Sequence, residues 1–135
     1  MSNTIHEILH PSSWKPAKGY SNGMLARGKY VFLGGQIGWN GNQEFETDDF
    51  AGQVRQALSN IVAVLAEAGA GPEHLVRLTW FVTDKRAYLD NLKAIGAAYR
   101  DTLGKNFPAM TLVQVVALVE DRARVEIEAT AVLPD

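Results

Sequence analysis

The sequence predicts an α+β fold, in which a single mixed β-sheet carries two helices packed on one of its faces. Two long stretches repeat apolar residues at helical spacing, and several short stretches alternate apolar with polar residues. Their order, β-β-(β)-α-β-α-β-β, lets both helices cover one side of one sheet. The 135 residues suit a single domain that spans residues 1–135.

The first part of the chain predicts a hairpin. Strands are predicted over Ser21–Ala26 and Lys29–Leu33, and turn-forming residues between them favour pairing of the two. The glycine pair Gly34-Gly35 is predicted to end the second strand. Residues 39–42, Trp-Asn-Gly-Asn, form a further turn.

The first helix is predicted from about Asp48 to Ala68. Carboxylates at its start favour the positive end of the helix dipole, and Gly69 supplies a stop. The residues that recur at helical spacing and form one apolar stripe are Phe50, Val54, Ala57, Leu58, Ile61 and Leu65.

The second helix is predicted from Lys85 to Leu103, with Asp84 as its cap and Gly104 as its end. Its apolar stripe comprises Tyr88, Leu92, Ile95, Tyr99 and Leu103. A strand, 75–82, precedes it. The residues of this strand that are predicted on one face are Val76, Leu78, Trp80 and Val82.

Two final strands are predicted, over Ala109–Val116 and Arg124–Leu133. The last one places Val125, Ile127, Ala129 and Ala131 on one face and Arg124, Glu126, Glu128 and Thr130 on the other. The face away from the helices is too apolar to be fully hydrated and too polar for a monomer core. We therefore expect other copies of the chain to cover it in a closed symmetric oligomer.

Composition excludes several classes of function. The net charge of −2 gives no nucleic-acid or membrane-surface footprint. Cysteine is absent, which excludes disulfides and thiolate chemistry and fits a reducing cytosol. The N-terminus lacks a signal peptide and no apolar run could span a bilayer, so a cytoplasmic protein is predicted. The three histidines are scattered, so no metal site is predicted.

Two acids and one tyrosine are candidates for chemistry. Glu126 and Glu128 share a strand face and lie about 6.5 Å apart at the usual rise per residue. The alternative is a pair of solvent-facing carboxylates, or carboxylates paired with Arg77 or Arg124. Tyr20 lies in a predicted loop, where a tyrosine is most often a packing residue with a hydrated hydroxyl.

The chain resembles the RidA family, also called the YjgF or L-PSP family. The segments that carry the resemblance, in order, are Gly19-Tyr20-Ser21, Gly34-Gly35-Gln36-Ile37, Trp80-Phe81-Val82-Thr83-Asp84, Phe107-Pro108-Ala109 and Val125-Glu126-Ile127-Glu128-Ala129. The resemblance implies a chorismate-mutase-like fold and a homotrimer with a central barrel and three clefts between subunits.

The resemblance also implies a reaction, the hydrolysis of enamines and imines to a 2-keto acid and ammonia with no cofactor and no metal. Tyr20 matches the family's tyrosine and Glu126 its glutamate, so both are predicted as catalytic. Gly34, Gly35, Met110 and Trp39 are predicted to line the substrate site.

Two positions depart from the family pattern. Met110 stands where an arginine would bind the substrate carboxylate, and Gly34 stands where a serine is expected. Losing a charged bidentate contact costs about 2–5 kcal/mol for an anionic substrate, which is roughly 30-fold to several-thousand-fold in affinity.

Three hypotheses follow. The first is an imine or enamine hydrolase with altered specificity, less suited to small 2-imino acids. The second is a non-catalytic trimer that binds a small molecule. The third, a ribonuclease, is disfavoured because the chain has no basic stripe.

Overall fold

A computed structural model describes residues 5–135 of the chain. It contains both strands and helices within one domain, and the predicted α+β class is confirmed. In chain order, the elements are β1 (Glu7–Leu9), β2 (Gly23–Leu25), β3 (Lys29–Ile37), α1 (Phe50–Glu67), β4 (Leu75–Val82), α2 (Lys85–Leu89), α3 (Leu92–Leu103), β5 (Ala109–Gln114) and β6 (Val125–Leu133). A short 3-10 turn, Pro72–His74, leads into β4.

The main sheet is mixed. It has four strands in the order β3-β6-β4-β5, and β1 and β2 form a separate two-stranded ribbon. Strand β6 is antiparallel to both β3 and β4, whereas β4 and β5 are parallel. Strands β3 and β5 are therefore the two edges, and the helical crossover α2–α3 joins the parallel pair.

The core lies between the helices and one face of this sheet. All six residues of the predicted α1 stripe are buried. From β6, Val125, Ile127, Ala129 and Ala131 are buried against them, as their alternation predicts. Asp49 caps α1, because its carboxylate accepts a hydrogen bond from the Gly52 amide at 2.8 Å.

The predicted hairpin between the second and third strands is wrong. Strand β2 pairs with β1, in the register Glu7↔Leu25, and β3 pairs with β6 instead. At Gly28, φ is +144°, and the space that a Cβ would need is filled by the Leu133 carbonyl at the end of β6. The chain therefore turns over the end of β6 and enters the sheet beside it.

The glycine pair does not end β3, as the sequence predicted. The strand continues to Ile37, and the register with β6 shifts between Leu33 and Gln36. Such an irregularity adds residues to one strand without ending the ladder. Gly34 and Gly35 therefore lie inside the sheet, beside β6.

The second helix is two helices rather than one. α2 ends at Leu89 and α3 begins at Leu92, with Asp90 and Asn91 between them. Asn91 donates its side-chain amide to the Ala87 carbonyl at 2.7 Å, the kind of local bond that competes with helix propagation. In consequence Leu92, predicted to be buried, is 52% exposed.

The core face of β4 also differs at one residue. Leu75 is buried where Val76 was predicted to be, because the register with β6 shifts between Leu75 and Arg77. From Leu78 onward the predicted alternation holds, and Leu78, Trp80 and Val82 are buried.

Among residues 5–135, no helix packs on the second face of the sheet. We call it the open face. Tyr30 is 64% exposed there and Phe32 is 74% exposed, and they pack edge to face with ring centroids 5.9 Å apart. No helix in residues 5–135 is long and apolar enough to cross a membrane.

Candidate functional site

Glu126 lies on the open face, in the middle of the sheet. It is half-buried on β6 and pairs with Phe81 on one side and Ile37 on the other. Its carboxylate covers Gly35, where a Cβ would overlap the carboxylate oxygen Oε2. The structure thus brings two predicted site residues together, and a side chain at position 35 would displace the carboxylate from this place.

Neither glutamate of the strand is held by an arginine. Among residues 5–135, the ion pairs are made by other carboxylates, those of Asp48, Asp90, Asp101 and Asp135. Arg124, one candidate partner, instead donates to the Asp48 carbonyl at 3.3 Å. Glu126 therefore keeps acceptor capacity for a ligand or a water molecule.

Gly34, the neighbour of Gly35 on β3, is exposed. Nothing lies within 4 Å of the place where its Cβ would be. Its carbonyl accepts a hydrogen bond from the Gln36 side chain at 3.2 Å. Unlike Gly35, position 34 thus has space for a side chain.

Trp39 lies just beyond the end of β3. Its ring packs against Phe45 with centroids 5.9 Å apart, and its carbonyl accepts a hydrogen bond from the Asn60 side chain at 2.8 Å. These contacts hold Trp39 at the corner that follows β3, two residues after Ile37, the partner of Glu126.

Tyr20 and Met110 lie at the opposite edge of the sheet. The Ser21 amide donates to the Pro108 carbonyl at 3.0 Å, and Ser21 bridges Ala109 in parallel. This pairing places Tyr20, which is 43% exposed, next to the start of β5. Its side chain is therefore partly accessible at this edge.

Met110 faces the helices rather than the open face. It pairs in parallel with Leu78, a core residue, and packs against the core cluster. Strand β4 separates β5 from β6, so the backbone at Met110 is about 10 Å from that of β6 at the usual strand spacing. One chain thus presents Glu126 with Gly35 on the open face and Met110 on the helix face, and it does not bring them together.

A groove of about 390 Å³ adjoins Met110 between β5 and the helices α2 and α3. We call it the helix-side groove. The residues from the helices and β4 that line it, and that sequence reasoning missed as a site, are Trp80, Tyr88, Leu92, Ile95, Gly96 and Tyr99. The sequence held one signal of this groove, which is Gly96 inside the predicted second helix. A glycine there weakens the helix, so it suggests that the space beside it has a purpose.

No group of three or more metal-binding side chains occurs in the part of the chain that the structure describes. The polar groups of the candidate site are a carboxylate, a phenol and backbone amides and carbonyls. Such a set can bind a small polar molecule and move a proton.

Fold and site together define a small α+β domain with an acid on the open face of its sheet. The family model described as Endoribonuclease L-PSP matches residues 11–133. The chain therefore belongs to this family, which is the RidA, or YjgF, family that its motifs resemble.

Several relatives are similar over their whole length. A RutC family protein of Aquifex aeolicus is 33% identical, over 95% of this chain and 99% of its own. The 2-iminobutanoate/2-iminopropanoate deaminase of Escherichia coli is also 33% identical, over 98% of both chains. The crystal structure of the Rid family protein YyfB from Yersinia pestis, a protein of unknown function, superposes with a TM-score of 0.84 at 32% identity, over 95% of this chain and 98% of that chain.

Proposed function

We propose that this chain is an imine or enamine hydrolase of the deaminase type. Its substrate specificity is altered, so that small 2-imino acids suit its site less well. One observation carries the proposal: the Glu126 carboxylate lies over Gly35 on the open face, with no ion-pair partner among residues 5–135. The names of relatives such as the Escherichia coli deaminase support the same kind of reaction.

The reaction needs no cofactor or metal in this proposal. The imine carbon is electrophilic, so a water oxygen adds to it while Glu126 accepts a water proton. That proton passes to the nitrogen and gives a carbinolamine. The carbinolamine hydroxyl proton then moves through Glu126 to the same nitrogen, the carbon–nitrogen bond breaks, and a carbonyl compound and ammonia leave. Tyr20 donates a hydrogen bond that orients the substrate, and the backbone at Gly34 and Gly35 lines the site.

We further propose a cytoplasmic homotrimer in which the site lies between subunits. Tyr30 and Phe32 are exposed on the open face, and Val116 and Val119 are fully exposed in the β5–β6 connection. A second copy that buried these side chains could also bring its Tyr20 and Met110 to the first copy's Glu126. Light scattering after size exclusion tests this, and a monomer at micromolar concentration would contradict it.

The altered specificity rests on Met110 and Gly34. A methionine cannot make the bidentate pair with a carboxylate that an arginine makes. Gly34 has no side chain to donate a hydrogen bond. Trp39 and Met110 instead offer apolar and aromatic surface, which favours an imine with an apolar substituent.

The decisive experiment follows ammonia release from a panel of imines generated in situ, including 2-iminopropanoate and imines with aromatic substituents. We expect turnover that falls by about 10²–10⁴-fold in Glu126→Gln. Glu128→Gln is the matched control, because Glu128 is exposed on the same strand face and is expected to retain activity. No acceleration for any imine by the wild-type protein refutes the proposal.

A second candidate is a non-catalytic trimer that binds a small molecule. It is favoured by Met110 and Gly34, since both departures remove polar groups from the predicted site. Thermal-shift screening against a metabolite library discriminates the two. A ligand that stabilises the protein and is recovered unchanged, with no imine turned over, supports the binding protein.

We do not propose ribonuclease activity or nucleic-acid partners, although the description of the family model contains that term. A net charge of −2 supplies little of the phosphate attraction on which RNA binding depends. Cleavage of RNA by the purified protein, lost in Glu126→Gln, would contradict this expectation.

A further inference from the structure

We propose that the helix-side groove binds an aromatic carboxylic acid, with the ring inside the groove and the carboxylate at its mouth. The inference deepens the proposed function and rests on it only in that Met110 belongs to both. It concerns binding, and it holds whether or not the bound molecule is hydrolysed.

The interior of the groove is aromatic and apolar. Trp80 packs edge to face on Tyr88 with ring centroids 6.2 Å apart, and Tyr99 stacks on Phe107 at 5.3 Å. Met110 contributes an adaptable thioether. The volume of about 390 Å³ lies in the range of small-molecule pockets.

A buried donor in the wall of the groove lacks an acceptor. Trp80 is 2% exposed, and its indole N–H makes no hydrogen bond with residues 5–135. A buried donor of this kind costs free energy unless a ligand or water supplies an acceptor. The N–H itself has almost no accessible surface, so Trp80 contributes apolar ring surface to the groove rather than this donor.

Two cations stand at the mouth. Arg100 and Lys105 line the groove and are exposed, and within residues 5–135 neither makes an ion pair or a side-chain hydrogen bond. No carboxylate lines the groove. The charge at the mouth is thus positive and uncompensated, which favours an anion over a neutral molecule or a cation.

Space for the ring depends on Gly96, in the interior of α3. A Cβ placed there would meet only the Arg100 guanidinium, at 3.5 Å, so packing within this chain does not require glycine. A glycine in a helix costs about 0.5–1 kcal/mol relative to alanine. Its effect here is to widen the groove beside Leu92, which is left exposed at the surface.

The test uses 3-phenylpropanoate and its neutral amide, 3-phenylpropanamide, in isothermal titration calorimetry with the full chain. We expect the acid to bind with a dissociation constant of roughly 1 mM or below and about threefold to tenfold more tightly than the amide. Equal affinity for both, or no binding of the acid, overturns the proposal.

Three variants locate the site. Gly96→Leu fills the groove and is expected to weaken binding of the acid by about tenfold or more. The double variant Arg100→Gln/Lys105→Gln is expected to remove the preference for the acid over the amide. Lys93→Gln is the matched control, since Lys93 is an exposed cation of the same helix that does not line the groove. Unchanged binding in both groove variants places the ligand elsewhere and overturns the inference.

The same titrations separate this inference from the proposed function. Glu126→Gln is expected to bind 3-phenylpropanoate as the wild type does while losing hydrolysis. If the wild type binds the acid and hydrolyses no imine, the proposed function is refuted and the inference about the groove is supported. If it hydrolyses imines and binds no aromatic acid, the groove inference fails alone.

Discussion

The two faces of the sheet present different side chains. On the open face, Glu126 stands over Gly35 without an ion-pair partner among the described residues. On the helix face, Met110 lies against an apolar groove with cations at its mouth. Within one chain, the unpaired acid and the apolar groove therefore lie on opposite faces of the sheet. Position 110 therefore lies on the helix face, away from the Glu126 carboxylate of the same chain.

The largest expected effect is on the free energy of unfolding, which we expect to respond differently to substitutions on the two faces of the sheet. Ile127→Ala removes a fully buried side chain on the core face of β6 and is expected to lower the free energy of unfolding by about 2–5 kcal/mol. Glu128→Ala, its neighbour on the open face, is expected to change it by less than about 0.5 kcal/mol. Urea denaturation measures both, and comparable losses would mean that the open face is as important to folding as the core.

The next largest effect tests the position of the Glu126 carboxylate over Gly35. Gly35→Ala puts a Cβ where this carboxylate lies, so we expect hydrolysis to fall by about 100-fold, as for a catalytic group displaced by an ångström. Gly41→Ala is the control, because its Cβ would meet nothing within 4 Å and Gly41 is not a residue of the proposed site. Equal losses in the two variants would show that Glu126 does not act from this position.

The helix face is tested by Met110→Arg. An arginine there supplies the carboxylate-binding residue that the family resemblance implies for this position, and we expect the KM for 2-iminopropanoate to fall by about tenfold. The same change places a charge beside the groove and is expected to weaken 3-phenylpropanoate binding. A rate and KM that stay unchanged, with the oligomeric state preserved, would show that more than the arginine separates this site from its relatives.

The smallest effect concerns Gly96. Gly96→Ala is expected to raise the free energy of unfolding by about 0.5–1 kcal/mol, because alanine favours the helix. Gly104→Ala is expected to have the opposite sign, since φ at Gly104 is +69°. A loss of stability in Gly96→Ala would show that the groove is already filled in the folded protein.

The sequence predicted the elements whose patterns are long and local. The α1 stripe and the alternation of β6 were both confirmed, because a period of 3.6 or 2 over many residues admits one buried face. The bounds of α1 are shifted by only one or two residues, since Asp49 rather than Asp48 caps it. The position of the Glu126 carboxylate over Gly35 was not predictable in the same way, because it joins positions far apart in the chain.

Non-local pairing explains the errors. No feature of residues 21–33 predicts that β2 pairs with β1 and β3 with β6. The partners of short strands are decided by tertiary packing rather than by their local sequence. The break at Asp90-Asn91 was missed because apolar residues continue at helical spacing through it. That break leaves Leu92 at the edge of the groove, a feature that no periodicity shows.

By itself, the sequence determined the α+β class, the amphipathic helices, the alternating last strand and the membership of the family, since each depends on local periodicity or on motifs in order. Only the tertiary structure decided which sheet face each candidate residue occupies. A register shift of one residue at Gly34-Gly35 or at Val76 reverses the side on which a side chain emerges. The position of Glu126 over Gly35 on one face, and of Met110 beside an apolar groove on the other, therefore follows from strand order and register.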